Sequence, residues 1–84
     1  MRIADKVAAI LSELSGADDI RPDTHLLNDL GLDSLQMVTL LILLEDGFGI
    51  TLDEADMNPF DLTTAEQVMA LVRKYAGDSD ETGN

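Results

Sequence analysis

Few side chains in this sequence are equipped for chemistry, and Ser34 stands apart from the rest. It follows Leu30-Gly31-Leu32-Asp33 and opens a long apolar stretch, Leu35 to Leu44. A serine in the first turn of a helix points its oxygen toward unpaired backbone N–H groups, where an attached anion lies at the favourable end of the dipole. On position alone, a structural role in capping that helix is the stronger account. His25, the only histidine, sits in a polar stretch nine residues before Ser34. Nothing marks a third group that would orient it for a nucleophilic Ser-His pair. Gly31-Leu32-Asp33-Ser34-Leu35 also lacks the second glycine of a nucleophile elbow. Carboxylates are plentiful, but Asp18, Asp19 and Asp23 and the run Asp53, Glu54, Asp56 lack the spacing, central glycine and closing glutamate of a calcium loop. Neither catalysis nor a dedicated metal site is expected.

Composition restricts the partners. With 17 acidic against 5 basic residues the formal charge is −12, which repels nucleic acid and anionic membranes and attracts basic protein surfaces. The chain has no cysteine, so it has neither a disulfide framework nor a thiolate metal site, and a reducing, cytoplasmic setting is compatible. The N-terminus lacks the apolar run of a signal peptide, and Leu35 to Leu44 falls far short of the ~20 residues of a membrane span. Eighty-four residues make one domain with a single core. The three aromatics, Phe48, Phe60 and Tyr75, leave that core to aliphatic side chains.

The elements that must hold Ser34 follow from periodicity. Ile3, Val7, Ile10, Leu11 and Leu14 share one helical face, predicting a helix over about residues 2–15 that ends at Ser15-Gly16. Residues 17–33 form a long loop rich in turn chemistry, pinned by Ile20, Leu26, Leu27, Leu30 and Leu32, with a helical turn around Leu26 to Leu30. Asp33 and Gln36 form a capping-box pattern opening a second helix that runs to about Gly47. Met37, Leu40, Leu41, Leu44 and Phe48 make its core stripe. Leu35, Val38, Ile42 and Leu43 are apolar as well, so the helix is either central or covered by partners on its second face. A short third helix is predicted from the capping pattern Thr51 to Glu54, ending before Pro59. A fourth begins at Thr63 or Thr64 and carries Val68, Met69, Leu71, Val72 and Tyr75. The expectation is an all-α, four-helix bundle with three longer helices, one short helix and a long first loop, spanning residues 1–76. Residues 77–84 are expected to be a disordered polar tail.

The ordered set of these features resembles the acyl carrier proteins. It comprises a first amphipathic helix, a loop with Asp19-Ile20-Arg21-Pro22, then Leu30-Gly31-Leu32-Asp33-Ser34-Leu35 after Asn28-Asp29. Glu45-Asp46-Gly47-Phe48-Gly49-Ile50 and Leu62-Thr63-Thr64 complete it. The resemblance implies a four-helix carrier fold in which Ser34 is esterified to 4'-phosphopantetheine, delivered from coenzyme A by a separate phosphopantetheinyl transferase. It implies that Asp33 helps to position Ser34 and that the chain is a non-catalytic, monomeric carrier, holding acyl or aminoacyl groups as thioesters. Tethering of that kind raises the effective concentration of an intermediate at successive enzymes. Partners would be acyltransferases, ketosynthases or adenylation-type loading enzymes, docking along the second helix at Leu35, Gln36, Val38, Thr39, Ile42 and Glu45.

Two departures from the fatty-acid carriers refine this expectation. Where those place acidic residues on the second helix, this chain has Gln36 and Thr39, and acidity returns only at Glu45 and Asp46, so docking should depend more on Leu35, Val38 and Ile42. Where those tend to have a small residue near the middle of that helix, this chain has Ile42-Leu43-Leu44; bulky core residues leave less removable volume, and long acyl chains should not be deeply buried. Both point to a discrete carrier of polyketide or hybrid biosynthesis, working in trans. The rival readings are a free-standing peptidyl or aminoacyl carrier, although residue 32 is leucine rather than the second glycine of Gly-Gly-Asp-Ser, and an acidic helical adaptor without modification.

Overall fold

The computed structural model describes residues 2–77. Three α-helices, α1 (Ile3–Ser15), α2 (Ser34–Phe48) and α3 (Ala65–Ala76), are joined by a long first loop and by two 3-10 turns, Glu54–Asp56 and Pro59–Asp61. The helical class and the long loop match the expectation from sequence. The predicted fourth helix is α3; of the short third helix, predicted to end before Pro59, only the 3-10 turn Glu54–Asp56 forms, and the turn Pro59–Asp61 was not foreseen. Of the predicted polar tail, Gly77 closes α3 by donating its N–H to the Arg73 carbonyl at 2.8 Å; residues 78–84 lie outside the described residues.

Helix α1 buries Ile3, Val7 and Leu11, the face its spacing marks out. Gly16 ends it in the left-handed conformation, its N–H bonding the Ser12 carbonyl, a geometry that glycine adopts without a Cβ penalty. Helix α2 buries Met37, Leu40, Leu41 and Leu44, and α3 buries Ala65, Val68, Met69 and Val72. With Leu26, Leu32 and Leu52 these side chains form one continuous aliphatic core. Truncating a fully buried leucine in such a core costs about 2–5 kcal/mol, so the three helices stand or fall together. No helix among the described residues is long and apolar enough to cross a membrane.

The first loop is fastened to the start of α3. Leu26 N–H donates to the Thr63 carbonyl at 2.9 Å, Ala65 N–H to the Thr24 carbonyl at 3.0 Å and Glu66 N–H to the Pro22 carbonyl at 2.8 Å. The loop thereby satisfies two of the first-turn donors that a helix cannot satisfy internally. Within it, Asp29 N–H bonds the His25 carbonyl and Gly31 N–H the Leu27 carbonyl, closing the expected helical turn. That turn puts Leu26 inside and brings Leu30 against the core, while Leu27 is 69% exposed. Leu27 is therefore not a pin: a residue next to Leu26 on a helical turn points away from it.

The predicted capping pattern from Thr51 to Glu54 does not form. The chain at Asp53 is extended and its side chain caps nothing. Glu45 Oε2 instead accepts from Leu52 N–H at 2.8 Å, and the Tyr75 hydroxyl accepts from Asp53 N–H at 2.9 Å. The first turn ends at Asp56 and the second begins at Pro59. The segment is clasped to α3 through Asp56, whose carboxylate accepts from Lys74 Nζ at 2.8 Å and from the Tyr75 hydroxyl.

These bonds hold the Asp56 carboxyl below its ordinary pKa, chiefly through Lys74 and then Tyr75, and raise Lys74 and Tyr75 through their bonds to Asp56. A depressed carboxylate contributes stability above its unfolded pKa and loses it as pH falls through the folded one. A raised lysine or tyrosine contributes below its unfolded pKa and loses it as pH rises through the folded one. The clasp is therefore intact from about pH 4 to about pH 10. In an NMR titration the Tyr75 ring resonances should shift with a midpoint below the ordinary aspartate value of about 3.9, and the shift should vanish in Asp56→Asn. Ring resonances that stay unchanged as the pH falls from about 5 to about 2 would rule out the clasp.

Candidate functional site

Ser34 is the first residue of α2, and the residues on either side of it determine how it is held. Gly31, at φ +69° with nothing within 4 Å of the position of a Cβ, turns the chain in the left-handed region, a conformation that costs other L-residues roughly 1–2 kcal/mol. Leu32, 1% exposed, then anchors the approach in the core, and its N–H bonds the Leu26 carbonyl at 3.0 Å. Asp33 is the N-cap. Its Oδ1 accepts from Gln36 N–H at 2.8 Å while Gln36 Oε1 accepts from Asp33 N–H at 3.2 Å, completing the reciprocal capping box read from the sequence.

Between these two residues Ser34 is exposed, and no group among the described residues hydrogen-bonds its hydroxyl. The capping role that position alone favoured belongs to Asp33. The other two serines of the described residues are engaged: Ser12 Oγ donates to the Ala17 carbonyl and Ser15 Oγ to the Leu11 carbonyl. Ser34 thus presents a hydroxyl free of internal partners. The backbone N–H groups of Ser34 and Leu35 are also without acceptors among the described residues, at the positive end of a fifteen-residue helix.

An apolar cleft of about 210 Å³ opens beside Ser34, lined by Leu26, Leu32, Met37, Phe60 and Leu62 among others. His25 borders the same cleft; its backbone N–H donates to Asp29 Oδ2 at 2.8 Å, but among the described residues no hydrogen bond joins its ring to Ser34 or to a carboxylate. Among the described residues no base is hydrogen-bonded to the Ser34 hydroxyl, and no third group orients one toward it. The described residues also gather no group of three or more histidines and carboxylates able to hold a metal ion.

The residues expected to meet partners divide into two groups. Leu35, Val38 and Ile42 are 74%, 44% and 54% exposed and lie on one face of α2, next to Ser34. Gln36, Thr39 and Glu45 are half-buried and internally engaged: Gln36 in the capping box and with Leu14, Thr39 Oγ1 with the Leu35 carbonyl at 3.0 Å, and Glu45 with Leu52. Leu27 and Phe60, the latter 77% exposed, add apolar surface around the cleft. The sequence reading takes Leu27 for a pin of the loop and gives Phe60 no surface role, because neither lies in a helix long enough for its period to mark an outward face.

Residues 5–72 match the family model described as the phosphopantetheine attachment site. The chain belongs to the acyl carrier protein family. It is 34% identical over 77 residues to the acyl carrier protein of Thermotoga maritima, covering 89% of this chain and 93% of that one. It is 35% identical to that of Desulforapulum autotrophicum, over 88% and 97% of the respective chains. Against the acyl carrier protein of Thermobifida fusca it is 31% identical, over 86% and 91%. A 4'-phosphopantetheine group is accordingly this carrier's prosthetic group. The residues at the start of α2 fit it: an exposed, unengaged hydroxyl for the ester and two free backbone donors beside it for a phosphate.

The cap is the first thing to test. Asp33→Ala should lower the unfolding free energy by about 1 kcal/mol, with the loss of hydrogen-exchange protection concentrated at the Gln36 amide. Unchanged protection at Gln36 would mean that the box does not hold this turn.

Proposed function

We propose that Ser34 is the attachment point of the phosphopantetheine group and that residues 1–76 form the carrier domain of a polyketide or hybrid biosynthetic system. The observation that carries this reading is the Ser34 hydroxyl. It is exposed, unengaged and at a helix N-terminus, whereas Ser12 and Ser15 donate to carbonyls. When bound, the group supplies a terminal thiol on which acyl groups are carried as thioesters. Asp33 holds the first turn so that the hydroxyl stays outward, and a phosphopantetheinyl transferase brings the catalysis that the site lacks.

Leu35, Val38 and Ile42 form the docking face, bordered by Gln36, Thr39 and Glu45. No formal charge interrupts this face between Ser34 and Leu44. The partner enzymes, acyltransferases, ketosynthases or adenylation-type loading enzymes, would meet it with apolar surface, and basic groups would be drawn to the surrounding carboxylates. The interior supports the choice of cargo. Leu40, Leu41 and Leu44 are at most 1% exposed and share one cluster with Leu52, Val68 and Val72. A packed aliphatic core resists insertion of further methylenes, which favours cargo held near the surface over a long chain drawn inside.

Incubation with coenzyme A, magnesium and a promiscuous phosphopantetheinyl transferase should add one phosphopantetheine to the intact mass of the wild type and none to Ser34→Ala. No adduct on well-folded wild type would favour an unmodified acidic adaptor. Loading of the holo form by adenylation enzymes, and not by polyketide acyltransferases, would overturn the cargo assignment.

A further inference from the structure

Gln36 lies two residues beyond Ser34 and ends in one amide whose two heavy atoms serve different helices. Its Oε1 accepts from Asp33 N–H at 3.2 Å, and its Nε2 donates to the Leu14 carbonyl at 3.3 Å. The first bond completes the N-cap of α2. The second reaches the last turn of α1, where a carbonyl has no helical donor left to accept from. One side chain thus caps the N-terminus of α2 and a C-terminal carbonyl of α1, joining residues 22 apart in the chain.

We infer that Gln36 is a positioning residue for modification of Ser34, setting the first turn of α2 at a fixed place on the end of α1; this rests on the assignment of Ser34 as the attachment point. The capping box by itself fixes only the local shape of residues 33–36. Leu32 and Met37 seat the two ends of that turn in the core, but between them Ser34 and Leu35 make no side-chain hydrogen bond to another element among the described residues. The bond to Leu14 anchors the turn to a helix that buries Ile3, Val7 and Leu11 in the common core. A hydroxyl presented to an external enzyme gains from such anchoring, because small displacements of a reacting group carry large rate penalties.

The amide is the group this role requires. Glutamate at position 36 would keep an acceptor for Asp33 N–H but has no donor for the Leu14 carbonyl, and it would set a negative charge against that oxygen. Methionine would keep the length and lose both bonds. The two substitutions therefore separate capping from anchoring.

The experiment measures steady-state phosphopantetheine transfer from coenzyme A to Gln36→Glu, Gln36→Met, Ser34→Ala and wild type, with amide hydrogen exchange of each apo form. Wild type should load and Ser34→Ala should not. Gln36→Glu should retain protection at Gln36 N–H yet lose about tenfold in kcat, with KM for the carrier within about twofold of wild type. Gln36→Met should lose at least as much kcat and protection at Asp33 N–H as well. Wild-type kcat in Gln36→Glu, a change confined to KM, or a rate loss that simply follows the unfolded fraction of each variant would overturn the positioning role. Loading of Ser34→Ala at the wild-type rate would instead overturn the attachment site, and the inference with it.

Discussion

The first turn of α2 is the constraint on which this structure depends. A helix leaves its leading N–H groups without partners, and here one is claimed by Asp33 Oδ1 while the donors of Ser34 and Leu35 stay open. The cap defines where the helix begins, and by doing so it puts Ser34 on the surface with its hydroxyl unclaimed. The rest of the chain supports that arrangement. Gly31 supplies the turn, Leu32 supplies the anchor, and the first loop is tied by backbone bonds to the start of α3.

A carrier has to be rigid where it is modified and accessible where it is read. The aliphatic core provides the first, since Leu40, Leu41 and Leu44 lock α2 against α1 and α3 from its buried side. The same helix provides the second, because Leu35, Val38 and Ile42 lie on its outer face. Apolar residues exposed together cost solubility unless they serve an interface, and the formal charge of −12 keeps such a surface dispersed. A helix that reads as apolar nearly all round is thus divided between a buried face that folds and an exposed face that we propose partners read.

What the sequence made legible is what local rules govern. The faces of α1 and α2 follow from a 3.6-residue period, and Asp33 with Gln36 announces its own cap; each needs only neighbouring residues. The misreadings came from contacts between distant segments. Thr51 and Glu54 carry a capping pattern, but Glu45 and Tyr75, far along the chain, claim the adjoining N–H groups. The sequence shows Gln36 as a cap, but its reach to Leu14 across 22 residues could not be read from spacing. Leu27 and Phe60 were missed as surface residues for a similar reason: each lies in a single turn, too short for a period from which to infer a side chain's direction.

The central claim is that the group is carried by Ser34 and by no other hydroxyl. Its most direct test is fragmentation of the intact, loaded protein in the mass spectrometer, which locates the added mass along the chain without altering any residue. Fragments containing Ser34 should carry the whole phosphopantetheine mass, and fragments holding Ser12 and Ser15 should carry none. Added mass on the Ser12 or Ser15 fragments, with Ser34 unmodified, would contradict the account.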